Sequence, residues 1–426
     1  MRRRIFGVAA SAAALGLLST LTACGGSAGT GDDVVLHLVA AEYGDSPGTS
    51  AKPFWDKVTA AYRERHPGTR VEVELLPWAS IDREVTRRVA DGDAPDMALM
   101  GAYSDFAAQD KLYEASELLS VSAEANFLPP LAEAGSVGNR LYGLPFVASS
   151  RLLFYNEELF DKAGIEPPQT WKELKKAAKA LKDDGVAYPY ALPLGPEEAH
   201  AEAMIWELSN GGGWANNGGG YAIASEANTQ TFVWLRDNLV GEGLTGPVAP
   251  GRLNRKDAFA AFLRGEVGML NGYPSLAHEA KAKGIPVGTV EMPVADWLPK
   301  GETPPTMGVA DWMMAFKQNG NREAVGSFLD FLYEDRNLNE FASRYHLLPS
   351  TTTATRASKD AAADEVDQDF LTALLGAQLY PVNEPSWMKV SDTIKHNIGR
   401  AVAPGSDPKA VLEDIAEQAR GTAKKK

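Results

Sequence analysis

Apolar residues follow two alternating spacings along this chain, and the alternation predicts a fold. Val34 to Ala40 is a run rich in β-branched side chains that reads as a strand. Pro53 to His66 repeats apolar residues at helical spacing (Phe54, Trp55, Val58, Ala61, Tyr62) until Pro67-Gly68 ends it. Val71 to Leu76 is the next strand, and Ile81 to Ala90 is a helix with Ile81, Val85 and Val89 on one face. Met97 to Met100 is a short buried strand after the turn Ala94-Pro95-Asp96. This order predicts an α/β protein with a mostly parallel sheet covered by helices on both faces. Ligands of such sheets sit beyond the carboxyl ends of the strands. Ala41 to Asp45, Pro77 to Ser80 and Gly101 to Asp105 are therefore the segments to search, and they carry Tyr43, Trp78, Tyr103 and Asp105.

The pattern changes in the first thirty residues. Arg2, Arg3 and Arg4 precede an apolar run from Ile5 to Leu18, the plan of a secretory signal and short for a bilayer core of about 30 Å. The run ends in Leu21-Thr22-Ala23-Cys24, which resembles a bacterial lipobox. Residues 1–23 read as a lipoprotein signal peptide, with Cys24 as the acylated residue that ties the protein to the membrane. Residues 24–33, rich in Gly and Ser, read as a flexible tether.

Composition narrows the chemistry. The chain has 426 residues and one cysteine, so it offers no intramolecular disulfide and no Cys-rich metal centre. Its formal net charge of -14 argues against a nucleic-acid partner, which requires a basic face. No residue pattern calls for a cofactor or metal. Gly-x-Ser-x-Gly is matched only at Gly25 to Gly29, within the Gly/Ser-rich tether and not between a strand and a helix, and His-Glu-x-x-His is absent. The cluster Glu197, Glu198, His200 and Glu202 reads as a solvated helix start, where acids favour the positive end of the helix dipole. The glycine run from Asn210 to Tyr221 lacks the Gly-Lys-Ser/Thr of a phosphate loop and reads as an inter-helix loop in which Trp214 is a cleft candidate. Asn156 reads as a helix cap, and Thr170 with Glu173 as a capping box.

Several blocks carry a resemblance. Tyr142-Gly143-Leu144-Pro145, then Leu153-Phe154-Tyr155-Asn156, then Ala163 to Trp171 (AGIEPPQTW), is similar to the signature stretch of the family 1 extracellular solute-binding proteins. Phe262 to Met269, Gly308 to Phe316 and Leu347-Leu348-Pro349 resemble further blocks of that family, in the same order, over about residues 34 to 420. The resemblance implies a two-lobed periplasmic-binding-protein-like fold of type II with a multi-crossing hinge. Residues 34–147 with 306–350 would form lobe 1, and 148–305 with 351–420 lobe 2. Pro145 to Ser149 and Pro304 to Val309 are extended segments suited to crossings, and the family implies a third near Ser350.

The implied function is that of a receptor for an ABC importer. It would hold a mono- or oligosaccharide in an inter-lobe cleft and deliver it to the permease as a lipid-anchored monomer on the extracytoplasmic face. Nine tryptophans fit such a cleft, since rings cover the C–H faces of sugars while hydroxyls need placed donors and acceptors. Trp55, Trp171, Trp206 and Trp234 fit core positions instead. By the family's pattern the cleft also takes Ser149, Arg151, Asn271, Tyr273, Asp311, Trp312 and Trp387. Two alternatives stay open. A receptor for a non-sugar solute would need an arginine clamp, for which Arg151 is the one candidate. An exported glycosidase would need two carboxylates roughly 5–9 Å apart, such as Asp105 and Asp311.

Overall fold

The computed structural model describes residues 34–423 apart from Asp45, 217–219, Lys300, Glu302 and 362–364. The signal segment, Cys24 and the tether lie outside the described residues. Among those residues no helix is long and apolar enough to cross a membrane.

Strands β1 (Val34–Glu42), β2 (Thr69–Pro77) and β3 (Met97–Met100) form where β-branched and apolar residues run together, with the helices Lys52–Arg65 and Trp78–Asp91 between them. β1 pairs parallel with both neighbours. Side chains alternate across this sheet, as the two-residue period of a strand requires. Leu36, Leu38 and Ala40 join a core with Trp55, Phe146 and Phe341, while Val39 and Ala41 face Ile81 and Val85 on the other side.

Further along the chain, β4 (Leu144–Ser150) joins the same sheet and β5 (Leu152–Asn156) joins a second one. The second sheet also takes β6 (Tyr188–Tyr190), β7 (Val267–Gly272) and β8 (Val287–Val290), in the order β8-β5-β7-β6. The chain then returns through β9 (Met307–Ala315), β10 (Leu348–Pro349) and β11 (Gln378–Leu379) to the first sheet, whose order is β10-β4-β9-β3-β1-β2 with β11 beside β9. The large sheet is parallel at β2-β1-β3 and in the short β9-β11 pair. β9 runs antiparallel to β3 and to β4, so the expectation of a mostly parallel sheet fails where the chain comes back from the second lobe.

The expected caps are present. Asn156 Oδ1 accepts the Leu159 N–H at 3.2 Å, and Thr170 and Glu173 form a reciprocal capping box before the helix Trp171–Asp183. In the second lobe Trp171, Trp206 and Tyr190 are all fully buried, and the half-buried Trp234 lies 4.8 Å from Trp171 and 5.8 Å from Trp206.

A single residue, Arg151, connects the two sheets between Ser150 and Leu152. Its N–H donates to the Met307 carbonyl at 3.0 Å, and the Thr306 hydroxyl donates to its carbonyl, so the first two crossings are tied together. At the third crossing the Ser350 hydroxyl donates to the Phe146 carbonyl at 2.9 Å. The hinge is a bundle of short extended segments bonded to one another.

Candidate functional site

The wall contributed by the large sheet is acidic and aromatic. β1 ends at Glu42, which sets Tyr43 at the carboxyl edge, and the Tyr43 hydroxyl donates to Asp311 Oδ2 at 2.6 Å. Its ring stands edge-on to Trp78, 5.4 Å away, and Trp78 keeps 40% of its surface exposed. One turn into that helix, Asp82 has an oxygen with no hydrogen-bond partner. Burial pushes both carboxyl groups up to about 6; the Tyr43 bond opposes this at Asp311, and the charge of Lys395 opposes it at Asp82.

Asp311 owes its position to an irregularity. The β9–β4 register pairs Asp311 with Val147 and Trp312 with Pro145, so a bulge falls between the two residues. Trp312 turns into the core, 0% exposed and 5.5 Å from the Tyr103 ring. Tyr103 is itself 1% exposed and donates to the Ala134 carbonyl at 2.6 Å. Trp214 is 0% exposed and donates to the His200 carbonyl. The structure therefore does not bring Tyr103, Trp214 or Trp312 to the cleft. All three rings are consumed by packing within a lobe.

The facing wall, from the small sheet and its helices, is basic. Arg151 Nη1 donates to Ser149 Oγ at 2.8 Å, so Ser149 orients the arginine. The Arg151 guanidinium lies over the Tyr273 ring at 4.7 Å and that of Arg255 over the same ring at 5.1 Å. Glu198 lies 3.8 Å from Arg151 and pairs with Arg255. Behind them, Glu202 Oε1 accepts from Tyr190, Trp206 and Asn271. Burial nonetheless pushes Glu202 up to about 7. Asn271 Oδ1 is left without a partner, as are His200 Nδ1 and the Tyr380 hydroxyl. His200 stacks on Tyr380 at 4.7 Å, and Tyr380 lies 5.4 Å from Trp387.

A clasp joins the walls. The Ser386 N–H donates to Asp105 Oδ1 at 2.8 Å, and the Ser104 hydroxyl donates to the Glu384 carbonyl at 3.1 Å. Ser386 has φ 76, a left-handed conformation that costs a serine about 1–3 kcal/mol. Asp105 is thus engaged by Ser386, and the segment it holds leads into the helix Trp387–Asn397.

Of the residues named from the sequence, the geometry joins Tyr43 to Trp78 and Asp311, Arg151 to Ser149 and Tyr273, Asn271 to Glu202, Asp105 to the segment before Trp387, and Trp387 to Tyr380. It adds Asp82, Glu198, His200, Glu202, Arg255, Tyr380 and Lys395. His200 and Glu202, 7% and 5% exposed, correct the solvated reading of their helix, because Ala199–Leu208 is buried on every side. For Tyr380 a signal existed, an aromatic residue in the loop-like Leu379-Tyr380-Pro381. For Asp82 and Lys395 there was none, since a charge on an amphipathic helix reads as solvated.

Comparison with known proteins agrees with this geometry. A family model described as bacterial extracellular solute-binding protein matches residues 45–338. The chain is 27% identical over 418 residues to a binding protein of Brucella abortus (strain 2308), covering 96% of this chain and 98% of that one. It is 24% identical over 289 residues to the sn-glycerol-3-phosphate-binding periplasmic protein of Agrobacterium fabrum, covering 65% and 66%. Among solved structures it resembles the GacH receptor of Streptomyces glaucescens, studied unliganded and with acarbose. There the TM-score is 0.76 at 18% identity, with 92% of this chain and 99% of that one covered, a likeness of fold. With two lobes facing each other across a polar, ring-lined cleft and a family match over well more than half its length, the chain belongs to the bacterial extracellular solute-binding proteins, the receptors of ABC importers.

Proposed function

We propose that this receptor binds a carbohydrate in the inter-lobe cleft, without turning it over, and passes it to a membrane permease. The observation that carries the reading is the coincidence of ring faces with buried, unpartnered polar atoms. Among the described residues Asp82 Oδ1, Asn271 Oδ1, His200 Nδ1 and the Tyr380 hydroxyl have no partner; Trp387 lies 5.4 Å from Tyr380 and 6.3 Å from His200, and Trp78 stands one helical turn before Asp82. Buried polar groups are otherwise almost always paired. A hydroxyl both donates and accepts, so a polyhydroxylated ligand can satisfy acceptors and donors together. The GacH receptor, similar in fold, has been solved with acarbose. A thermal-shift screen of mono- and oligosaccharides tests the reading, because ligand at 100 times its Kd stabilises the fold by about 2.7 kcal/mol. No shift with any sugar would sink it.

In this reading residues 34–147 with 306–350 and residues 148–305 with 351–420 are the two lobes, and they move about the tied crossings as binding proteins close. Small-angle scattering should record a smaller radius of gyration at saturating sugar. An unchanged radius would count against hinge closure. The receptor acts as a monomer held on the extracytoplasmic face by lipid on Cys24. Cys24→Ser should release it into the culture fluid; retention of the variant in the membrane fraction would refute the anchor.

A further inference from the structure

We propose that the sugar or polyol this cleft takes is acidic, with its anionic group seated on Arg151, Arg255 and Lys395. This rests on the carbohydrate reading above and narrows it.

Three cations from separate elements converge on the small-sheet wall. Arg151 comes from the hinge, Arg255 opens the helix Arg255–Phe262, and Lys395 lies in the helix Trp387–Asn397. They are close enough to oppose one another: beyond the effect of burial, Arg151 lowers the proton affinity of Arg255, Arg255 lowers that of Lys395, and Arg151 and Lys395 lower that of His200. Like charges gathered in a low-dielectric place raise the free energy of the unliganded wall, and an anion relieves it.

Of the acids around the three, one pairs with them directly and the others act through space. Glu198 alone contacts both arginines. Glu202 has one oxygen saturated by three donors, and burial pushes its carboxyl up toward the neutral form. Asp82 and Asp392 act on Lys395 through space, but Lys395 makes no hydrogen bond or ion pair among the described residues. Glu197 is exposed, accepts the Lys256 N–H and acts on Arg255 through space. Asp311 lies on the other wall, bonded to Tyr43, and acts on Arg151 through space.

Donors are left over for an oxyanion. Arg151 spends Nη1 on Ser149 and the Ser150 carbonyl, while among the described residues its Nε and Nη2 make no hydrogen bond, Nη2 lying 3.8 Å from Glu198 Oε1. The Tyr380 hydroxyl, on a residue only 9% exposed, has no partner and sits in the field of both arginines. Two guanidinium forks, an ammonium and a phenol suit a carboxylate or phosphate far better than they suit neutral hydroxyls alone. The ligand is thereby oriented. Its acid faces the small-sheet wall, its C–H surface covers Tyr273, and its hydroxyls reach Asp82 and Asp311 across the cleft.

Calorimetric titration of matched probes tests this: glucuronate against glucose, glycerol 3-phosphate against glycerol, and inorganic phosphate alone. In at least one pair the charged member should bind tenfold or more tighter, with affinity falling as salt rises. The two arms distinguish a carboxylate from a phosphate. Arg255→Gln should lower the charged-to-neutral affinity ratio tenfold or more; Lys395→Met serves if the first variant fails to fold. Neutral sugars binding as tightly as their acids would overturn the proposal and leave the carbohydrate reading standing. Inorganic phosphate binding as tightly as either organic acid would support the anion site and sink the carbohydrate reading. Binding of none would overturn both.

Discussion

Trp206→Ala lowers the stability of the fold by about 3–5 kcal/mol, the range for deleting a buried large aromatic side chain. The ring is 0% exposed and packs 5.6 Å from Trp171, 5.8 Å from Trp234 and 5.3 Å from Tyr190. Two losses combine. The apolar contacts disappear and leave a cavity that a scaffold of rigid rings fills poorly, and Glu202 loses the indole N–H that bonds it at 3.0 Å. Glu202 retains Tyr190 and Asn271 as donors, so the polar loss is the smaller one. Urea denaturation of the variant measures the effect. A loss below 1 kcal/mol would mean that the cluster collapses to fill the gap and that the second lobe's core is looser than its packing implies.

Tyr273→Ala weakens ligand binding by about 10- to 100-fold, or 1.4–2.7 kcal/mol, with little change in stability. A ring face covering the ligand removes apolar surface from water at roughly 25 cal/mol per Å². Most hydroxyl contacts net only about 0.5–1.5 kcal/mol, because they replace bonds to water. The ring also supports both guanidinium groups, so its removal loosens the groups around it. Tyr273 is half-buried, and its loss leaves the sheet intact. Isothermal titration beside a denaturation curve separates the two effects. Binding within threefold of wild type would place the ligand elsewhere in the cleft.

How much was legible in the residues themselves depended on whether a pattern had a local cause. The helix carrying Ile81, Val85 and Val89, the Asn156 cap and the Thr170–Glu173 box were readable because each is fixed within four residues. Asp311 and Trp312 were not separable, since the bulge that turns one toward the cleft and the other into the core is a property of pairing with β4. The helix Ala199–Leu208 misled for a related reason. Its acids match a solvated helix start, but the bodies that bury it come from residues as distant as Asn271 and Tyr380. Arg255 and Lys395 became cleft residues only when two lobes were set face to face, an arrangement that no local spacing encodes.

The one-residue crossing at Arg151 makes the length of the hinge a fixed quantity. Surface loops tolerate inserted or deleted residues because the entropy of closing them changes slowly with length. Here an inserted residue would invert the side-chain alternation from that point onward, turning the guanidinium away from Tyr273 and shifting β5 by one register against β7 and β8. The Arg151 N–H and carbonyl would also lose Met307 and Thr306 as partners. The residue proposed above to hold the ligand is thus also the spacer between the two sheets. A change of chain length there cannot alter the spacing of the sheets without also displacing the guanidinium from Tyr273.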